Sequence, residues 1–360
     1  MNKSDPIWLR IQLNKIAWIT GIWVLISMGQ FFYEYAIYVQ NDFIPPNFDF
    51  KTWLLVALLR TIIAGLAGGS ITVFFFEKWF RTMPYFKAFS SVLVVYTVIF
   101  LVVSFFGYSL LYNQTEAGVF MRTDDWLVDF ISNPNLIKNF VFWFVAIMLT
   151  SAGLQINDKY GPGVLKNVLV GKYFRPHREE RIFMFLDLRN STYIAERLGE
   201  TAYFNFLKEV IEDITRPILY TRGEIYQYVG DEVVISWHLR HGKVTADCIR
   251  CYFEIKTVMS RKRPEYEDKY GLAPEYKAGL HYGHVLAGEI GVIKRDITYT
   301  GDVLNTASRI QNKCNELGVD LLLSQQLLDK LSLAPHEYQP QRMGEIELRG
   351  KAEKVVLYTL

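Results

Sequence analysis

RIFMFLDLRNSTYIAERLG, residues 181–199, begins as an apolar run from Ile182 to Leu186 and stops at an acid, Asp187. Such a short uninterrupted apolar run reads as a buried strand. A polar turn follows (Arg189, Asn190, Ser191, Thr192), and a helical pattern starts at Tyr193. A carboxylate at the end of a buried strand, facing the start of a helix, suits a divalent cation and a polyphosphate. Its oxygen is a hard ligand of the kind Mg²⁺ takes. The free N–H groups and the dipole at the helix start favour phosphate.

Working outward, 360 residues are enough for two or three domains. The formal net charge of +2 names no partner. The 51% of apolar residues are unevenly spread, with long uncharged runs before about residue 155 and ordinary globular composition after it. The three cysteines, Cys248, Cys251 and Cys314, all fall in the polar half. An odd count without a framework spacing fits a reducing compartment. Cys248 and Cys251 form a CxxC inside an amphipathic helical pattern with no second ligand pair, which reads as core packing rather than zinc or redox chemistry.

Four segments upstream, about Ile16–Tyr38, Trp53–Phe76, Phe86–Tyr112 and Ile137–Gln155, meet the ~20-residue length of a membrane span. The first is too long for a cleavable signal peptide and is followed by no small-residue cleavage site. Lys3, Arg10 and Lys15, then Lys78, Arg81 and Lys87, then Lys159, Lys166 and Lys172 flank one side; Asp42, Asp49, Glu116, Asp124, Asp125 and Asp129 lie on the other. Basic flanks stay inside, so the amino end and the carboxyl half are expected in the cytoplasm, with the chain multi-pass in the inner (plasma) membrane. Arg60 lies about 10 Å inside the second segment at ~1.5 Å per residue, and Glu34 lies shallower in the first. They could pair, or each could reach the outer interface. Gly65 and Gly69 form a GxxxG, open to a dimer contact or to packing within one bundle. An amphipathic stretch at Trp126–Ile131 suits the outer surface. There is no row of intramembrane acids and no pair of broken helices, so transport is disfavoured.

The organisation expected is a four-helix transmembrane domain over residues 1–156, a coupling linker over 157–180 and a catalytic domain over 181–360. The linker carries Gly161-Pro162-Gly163 and Arg175-Pro176, both of which restrain the backbone. In the last domain, Thr201 to Ile218 reads as a helix, with apolar residues at Phe204, Phe206, Leu207, Val210, Ile211 and Ile214. Two β-rich runs flank Gly230-Asp231, a hairpin signal that puts a second acid, Asp231, at a tip. A helix is expected at about Lys243 to Lys262, and a strand and hairpin over Tyr276–Gly291. His281 and His284, three apart on a strand, point to opposite faces and make a poor metal pair. From Asp296 to Arg309 the pattern is strand end, glycine turn and helix. Asn305 and Arg309 share one helix face, which suits a ribose or phosphate. Arg349-Gly350-Lys351 between two strand-like runs could clamp a polyphosphate.

These residues, taken in order, resemble the class III nucleotidyl cyclases, the adenylate and guanylate cyclase family, over roughly Arg181 to Leu360. The resemblance rests on FLDLRNST, YVGDEVV, GLHYGHVLAGEIG, YTGDVLNTASRI and LRGKAEKVVLY. It implies an α/β (α+β) fold related to ferredoxin-like palms, and a homodimer with active sites at the interface. It implies that Asp187 and Asp231, with the carbonyl of Leu188, bind two Mg²⁺ ions, for which Mn²⁺ can substitute. Asn305 and Arg309 would come from the partner subunit to steady the ribose and the charge on the α-phosphate, and Arg349 with Lys351 would grip the terminal phosphates. The substrate implied is ATP, and no nucleic acid is involved. At the base-reading positions this sequence has Gln227 and Thr298 in place of the Lys and Asp common in adenylate cyclases, and also departs from the Glu and Cys typical of guanylate cyclases. The Thr form resembles an adenylate-forming bacterial subgroup. Because an amide both donates and accepts, GTP and a guanylate cyclase stay open as the alternative. A diguanylate cyclase fits less well: Val229-Gly230-Asp231-Glu232-Val233 lacks its paired glycines and aromatic, and the Asn305/Arg309 helix goes unexplained. A non-catalytic membrane receptor or scaffold would have no need of both acids, Asn305 and Arg309.

Overall fold

The computed structural model describes residues 6–42, 44, 48–76, 84–115, 134–160, 171–239, 246–293, 295–333, 338–347 and 354–360. The chain divides into two compact units, Met1–Ile156 and Asn157–Leu360.

The first unit is helical: α1 (Pro6–Gln40), α2 (Phe50–Ile71), α3 (Tyr85–Thr115) and α4 (Pro134–Tyr160) coincide with the four expected segments. Among the described residues, three stretches are long and apolar enough to cross a membrane: Gln12–Gln40, Phe50–Phe74 and Leu136–Ile156. In α3 the stretch found among the described residues, Ser90–Phe106, is shorter. Three of the four expected spans thus have an apolar run of spanning length among the described residues. Trp126–Ile131, Lys78 and Arg81 lie outside the described residues.

Ile16, Ile19 and Trp23 of α1 meet Val92, Tyr96 and Ile147 in the unit's core. The GxxxG motif serves this packing: a Cβ on Gly65 would stand 3.0 Å from the Thr20 backbone, and one on Gly69 3.3 Å from Ile16. Both glycines therefore let α2 approach α1 closely. Glu34 does not take Arg60 as its ion-pair partner. Its carboxylate accepts Lys138 Nζ, early in α4, at 2.9 Å and Gln30 Nε2 at 2.9 Å. Lys138 supplies the nearer cation.

The second unit is built on β1 (His177–Leu188), which begins inside the 157–180 connection. It continues through α5 (Ser191–Leu198), α6 (Glu200–Tyr220), β2 (Glu224–Val229), β3 (Glu232–His238), α7 (Asp247–Tyr270), β4 (Tyr276–Ile290) and β5 (Asp296–Thr300). It ends with α8 (Asp302–Leu317), β6 (Leu321–Ser324), a single turn α9 (Gln325–Leu328), β7 (Gln341–Glu347) and β8 (Lys354–Thr359). One mixed sheet has the order β2-β3-β1-β4-β6-β8-β7, with β5 paired to β4. Among the described residues, only the β4–β6 pairing is parallel.

Along β1, Ile182, Met184, Leu186 and Leu188 join the core under α6 and α7. Phe183 and Phe185 join Val234, Val285, Val303 and Ala307 on the α8 side. A strand buried on both faces loses its polar alternation, which is why the run 182–186 is continuous. Asp187 continues the odd-numbered set and so emerges on the α8 side. Helix α8 lies very close to the sheet, and two glycines permit it. A Cβ on Gly279 would fall 2.2 Å from the Gln311 nitrogen, and one on Gly283 2.6 Å from Val303.

The start of β1 carries a buried charge network. Arg181 is wholly buried. Its guanidinium donates to Glu179 at 2.7 Å, Glu224 at 2.7 Å and Ser236 at 2.9 Å, contacts His238, and lies 4.5 Å over the Tyr299 ring. Glu179 also accepts from Lys172 at 2.9 Å and pairs with His177 at 2.7 Å. Burial pushes the Glu179 carboxyl up, but these cations outweigh it and hold it down to about 2.

Candidate active site

Antiparallel pairing of β1 with β3 puts the C-terminal end of β1 beside the β2–β3 turn. Asp187 and Asp231, 44 positions apart in number, thereby come within side-chain hydrogen-bond reach. Asp187 Oδ2 also takes Lys277 Nζ at 3.1 Å and accepts from Gln311 Nε2 at 2.8 Å. Lys277 stands opposite Asp187 in the β1–β4 ladder, and Gln311 is delivered by the close approach of α8. Burial pushes the Asp187 carboxyl above its ordinary value; Lys277 opposes this and the charge of Asp231 adds to it. Glu232 is pushed up to about 7, first by burial and then by Asp187 and Asp231. Asp231 Oδ2 is buried with no hydrogen-bond partner among the described residues.

A buried carboxylate oxygen without a donor is costly, and like charges this close oppose joint ionisation. A divalent cation removes both problems, so Asp187 and Asp231 fit one. Among the described residues there is no group of three His, Cys, Asp or Glu side chains that could cage a metal unaided. Two carboxylates, with the remaining shell left to water and substrate phosphate, is the usual way Mg²⁺ is held. Leu188, whose carbonyl was the third expected ligand, is buried at the last position of β1. Beyond it, Asn190 adopts a left-handed conformation (φ 54°) at the start of α5 and makes no side-chain capping bond.

Gln227 is exposed on β2, just after a β-bulge, and Thr298 is half-buried on β5 opposite Gly288. Their neighbours Tyr226 and Tyr299 stack edge-on with centroids 5.0 Å apart, and the Tyr299 N–H donates to the Tyr226 hydroxyl at 3.4 Å. The two base-reading candidates thus flank the Tyr226–Tyr299 contact, although β2 and β5 are not neighbours in the sheet. Asn305 is exposed and Arg309 half-buried on α8. Among the described residues, no hydrogen bond or ion pair joins either to Asp187 or Asp231. Arg349 and Lys351 lie outside the described residues; the flanking ladder ends at Glu347 opposite Lys354.

Lys277 and Gln311 were not singled out from the sequence. A lysine between Tyr276 and Ala278 in an apolar strand is a signal for the first; the second carries none, because only the sheet contact of α8 aims it at Asp187. Cys248 and Cys251 are buried in α7, where burial pushes both thiols up, Cys251 to about 12. His281 Nδ1 contacts Ser324 Oγ at 2.7 Å, while His284 approaches Glu180 at 3.4 Å, so the two imidazoles serve different partners.

Residues 175–360 match the family model described as the adenylate and guanylate cyclase catalytic domain. The chain is 36% identical over 207 residues to adenylate cyclase 2 of Rhizobium meliloti (strain 1021), covering 58% of this chain and 57% of that protein. It is 24% identical over 201 residues to an adenylate cyclase of Anabaena cylindrica, covering 55% and 39%. The matches therefore span less than two thirds of these relatives. A solved structure of a bacterial light-regulated adenylyl cyclase superposes with a TM-score of 0.51 at 23% identity, over 61% of this chain and 64% of that one. That likeness is one of fold.

Proposed function

The chain belongs to the adenylate and guanylate cyclase catalytic domain family, and on that premise we propose that it is a membrane-anchored adenylate cyclase converting ATP to 3′,5′-cyclic AMP and pyrophosphate. The observation that carries this is the Asp187–Asp231 pair with its orphaned carboxylate oxygen. In the step proposed, the ribose 3′-oxygen forms a bond to the α-phosphorus, the bond to the pyrophosphate oxygen breaks, and the 3′-hydroxyl proton passes to solvent. Asp187 and Asp231, helped by the Leu188 carbonyl, would hold Mg²⁺, two per site, with Mn²⁺ as substitute. The bound cations would lower the hydroxyl pKa and neutralise charge on the phosphates. Arg309 would stabilise the charge developing on the α-phosphate, Asn305 would orient the ribose, and Arg349 and Lys351 would hold the terminal phosphates.

Because Asn305 and Arg309 do not meet the acids of their own chain, they serve best in a second copy. A homodimer is supported by exposed apolar residues on two hairpins: Tyr228 and Val229 on one, Ile290, Val292 and Ile293 on the other. The organisation proposed is a transmembrane domain over 1–156, a coupling segment over 157–180 and a catalytic domain over 181–360, with the amino terminus and catalytic domain cytoplasmic at the inner membrane. The base is adenine on two grounds: the 36% identical relative is an adenylate cyclase, and Gln227 with Thr298 can address an adenine edge. The amide of Gln227 also suits guanine, which makes GTP the second reading.

Full-length protein supplied with Mg²⁺ or Mn²⁺ and equal labelled ATP and GTP should release mainly cyclic AMP. Cyclic GMP as sole product would overturn the base assignment, and no product with either metal would overturn the enzyme reading. Asp187→Ala and Asn305→Ala, each inactive by itself, should regain activity when co-assembled. Verified mixed dimers without activity would refute the shared site.

A further inference from the structure

The cyclase site leaves the charges of the first unit unexplained. Arg60 of α2 lines a cavity of about 40 Å³ together with Thr61, Ser104, Asn139 and Trp143. Among the described residues, Arg60 makes no hydrogen bond and no ion pair, so its five N–H donors are unclaimed by protein acceptors there. Asn139 commits its side-chain oxygen to Gln30 Nε2 at 2.7 Å, which leaves its amide N–H groups as donors. Glu34 is the carboxylate within electrostatic range of Arg60, but it is already bonded to Lys138 and Gln30. Among the described residues, Arg60 and Lys138 against Glu34 leave one positive charge over. Arg60, Glu34, Lys138 and Asn139 lie in helices long and apolar enough to cross a membrane, where an uncompensated cation is expensive and marks a functional site.

We propose that this cavity is a binding site for one small monovalent anion, of halide or formate size, held by Arg60 and Asn139 with Ser104 and the Trp143 indole alongside. Ala64, Phe100 and Val103 complete a mainly apolar lining whose unclaimed donors and surplus positive charge come from Arg60 and Asn139, so an anion satisfies both at once. Water would satisfy the donors and leave the charge. Size sets the class: one water takes about 10–15 Å³ of such space, so the cavity admits a few water-sized atoms, enough for a halide or formate ion and too little for a nucleotide. The proposal rests on the membrane reading of residues 1–156, and the two can fail separately.

The test uses the full chain in detergent micelles at constant ionic strength, exchanging sulfate for bromide or formate and reading the thermal midpoint. The native chain should show a saturable upward shift with bromide and with formate. Arg60→Gln should lose that shift, and Arg60→Lys should keep it. If Arg60→Gln is not recovered folded, Ser104→Leu, which fills the cavity and leaves the cation, should lose the shift instead. No saturable shift in the native chain, or an equal shift in Arg60→Gln, overturns the proposal. Carbonate extraction of membranes tests the other reading: release of the chain into the soluble fraction refutes the membrane location, whatever bromide does.

Discussion

Strand β1 carries a cluster of charges at each end, and the two clusters are built on opposite terms. At its start, Arg181 is wholly buried and every direction around it is answered: Glu179, Glu224, Ser236, His238 and the Tyr299 ring. At its end, Asp187 and Asp231 meet, Glu232 lies within their electrostatic range, Lys277 is the counter-charge, and one buried oxygen has no donor among the described residues. The first cluster is complete without a ligand, so it holds the strand in place. The second is incomplete, and its incompleteness is what a cation and a polyphosphate would remove.

The sharpest way to break this contrast is to empty each end. Arg181→Met leaves Glu179 and Glu224 without their cation and should cost about 3–5 kcal/mol of stability, as breaking a buried pair from one side does. A denaturation midpoint within error of the native value would show that the start of β1 is not structural. Asp187→Asn should do the reverse: thermal stability equal to or above native, because one repelling charge is gone, with turnover down roughly 10²–10³-fold, the scale on which removal of a transition-state electrostatic contact acts. A large loss of stability instead would make Asp187 a scaffold residue. The smallest effect concerns acid. Glu179, drawn from an ordinary 4.5 to about 2, contributes stability that is present above its unfolded pKa and lost as pH falls from 4.5 towards 2. After allowance for solvent screening the loss should be about 1 kcal/mol. Acid unfolding of Glu179→Gln should lack that component, and an unchanged acid limb would remove Glu179 from the network's account.

The incomplete end was far more legible in the sequence than the complete one. Asp187 stops an apolar run and Asp231 sits in a Gly-Asp hairpin, so both acids announce themselves locally. Arg181 does not, because its partners Glu224, Ser236 and His238 are 43, 55 and 57 residues away and only the β1–β3 ladder collects them. The same holds for Gln311, aimed at Asp187 by glycines on another strand. In the first unit, the segments and the GxxxG were readable from composition and spacing. The partners were not: Thr20 and Ile16 for the glycines, and Lys138 rather than Arg60 for Glu34, depend on helix contacts that hydropathy does not encode.

The network at the start of β1 also bears on where a working fragment of this chain can be cut. Lys172 and Tyr173 precede the strand, yet Lys172 bonds Glu179, and the buried Tyr173 packs on His177 and accepts the Glu289 N–H at 3.1 Å. A recombinant piece starting at Arg181, where the apolar run begins, would shed Lys172, His177 and Glu179 and leave Arg181 half-answered. A piece starting at or before Gly171 keeps the set whole, and the expression yield of the two pieces should differ accordingly.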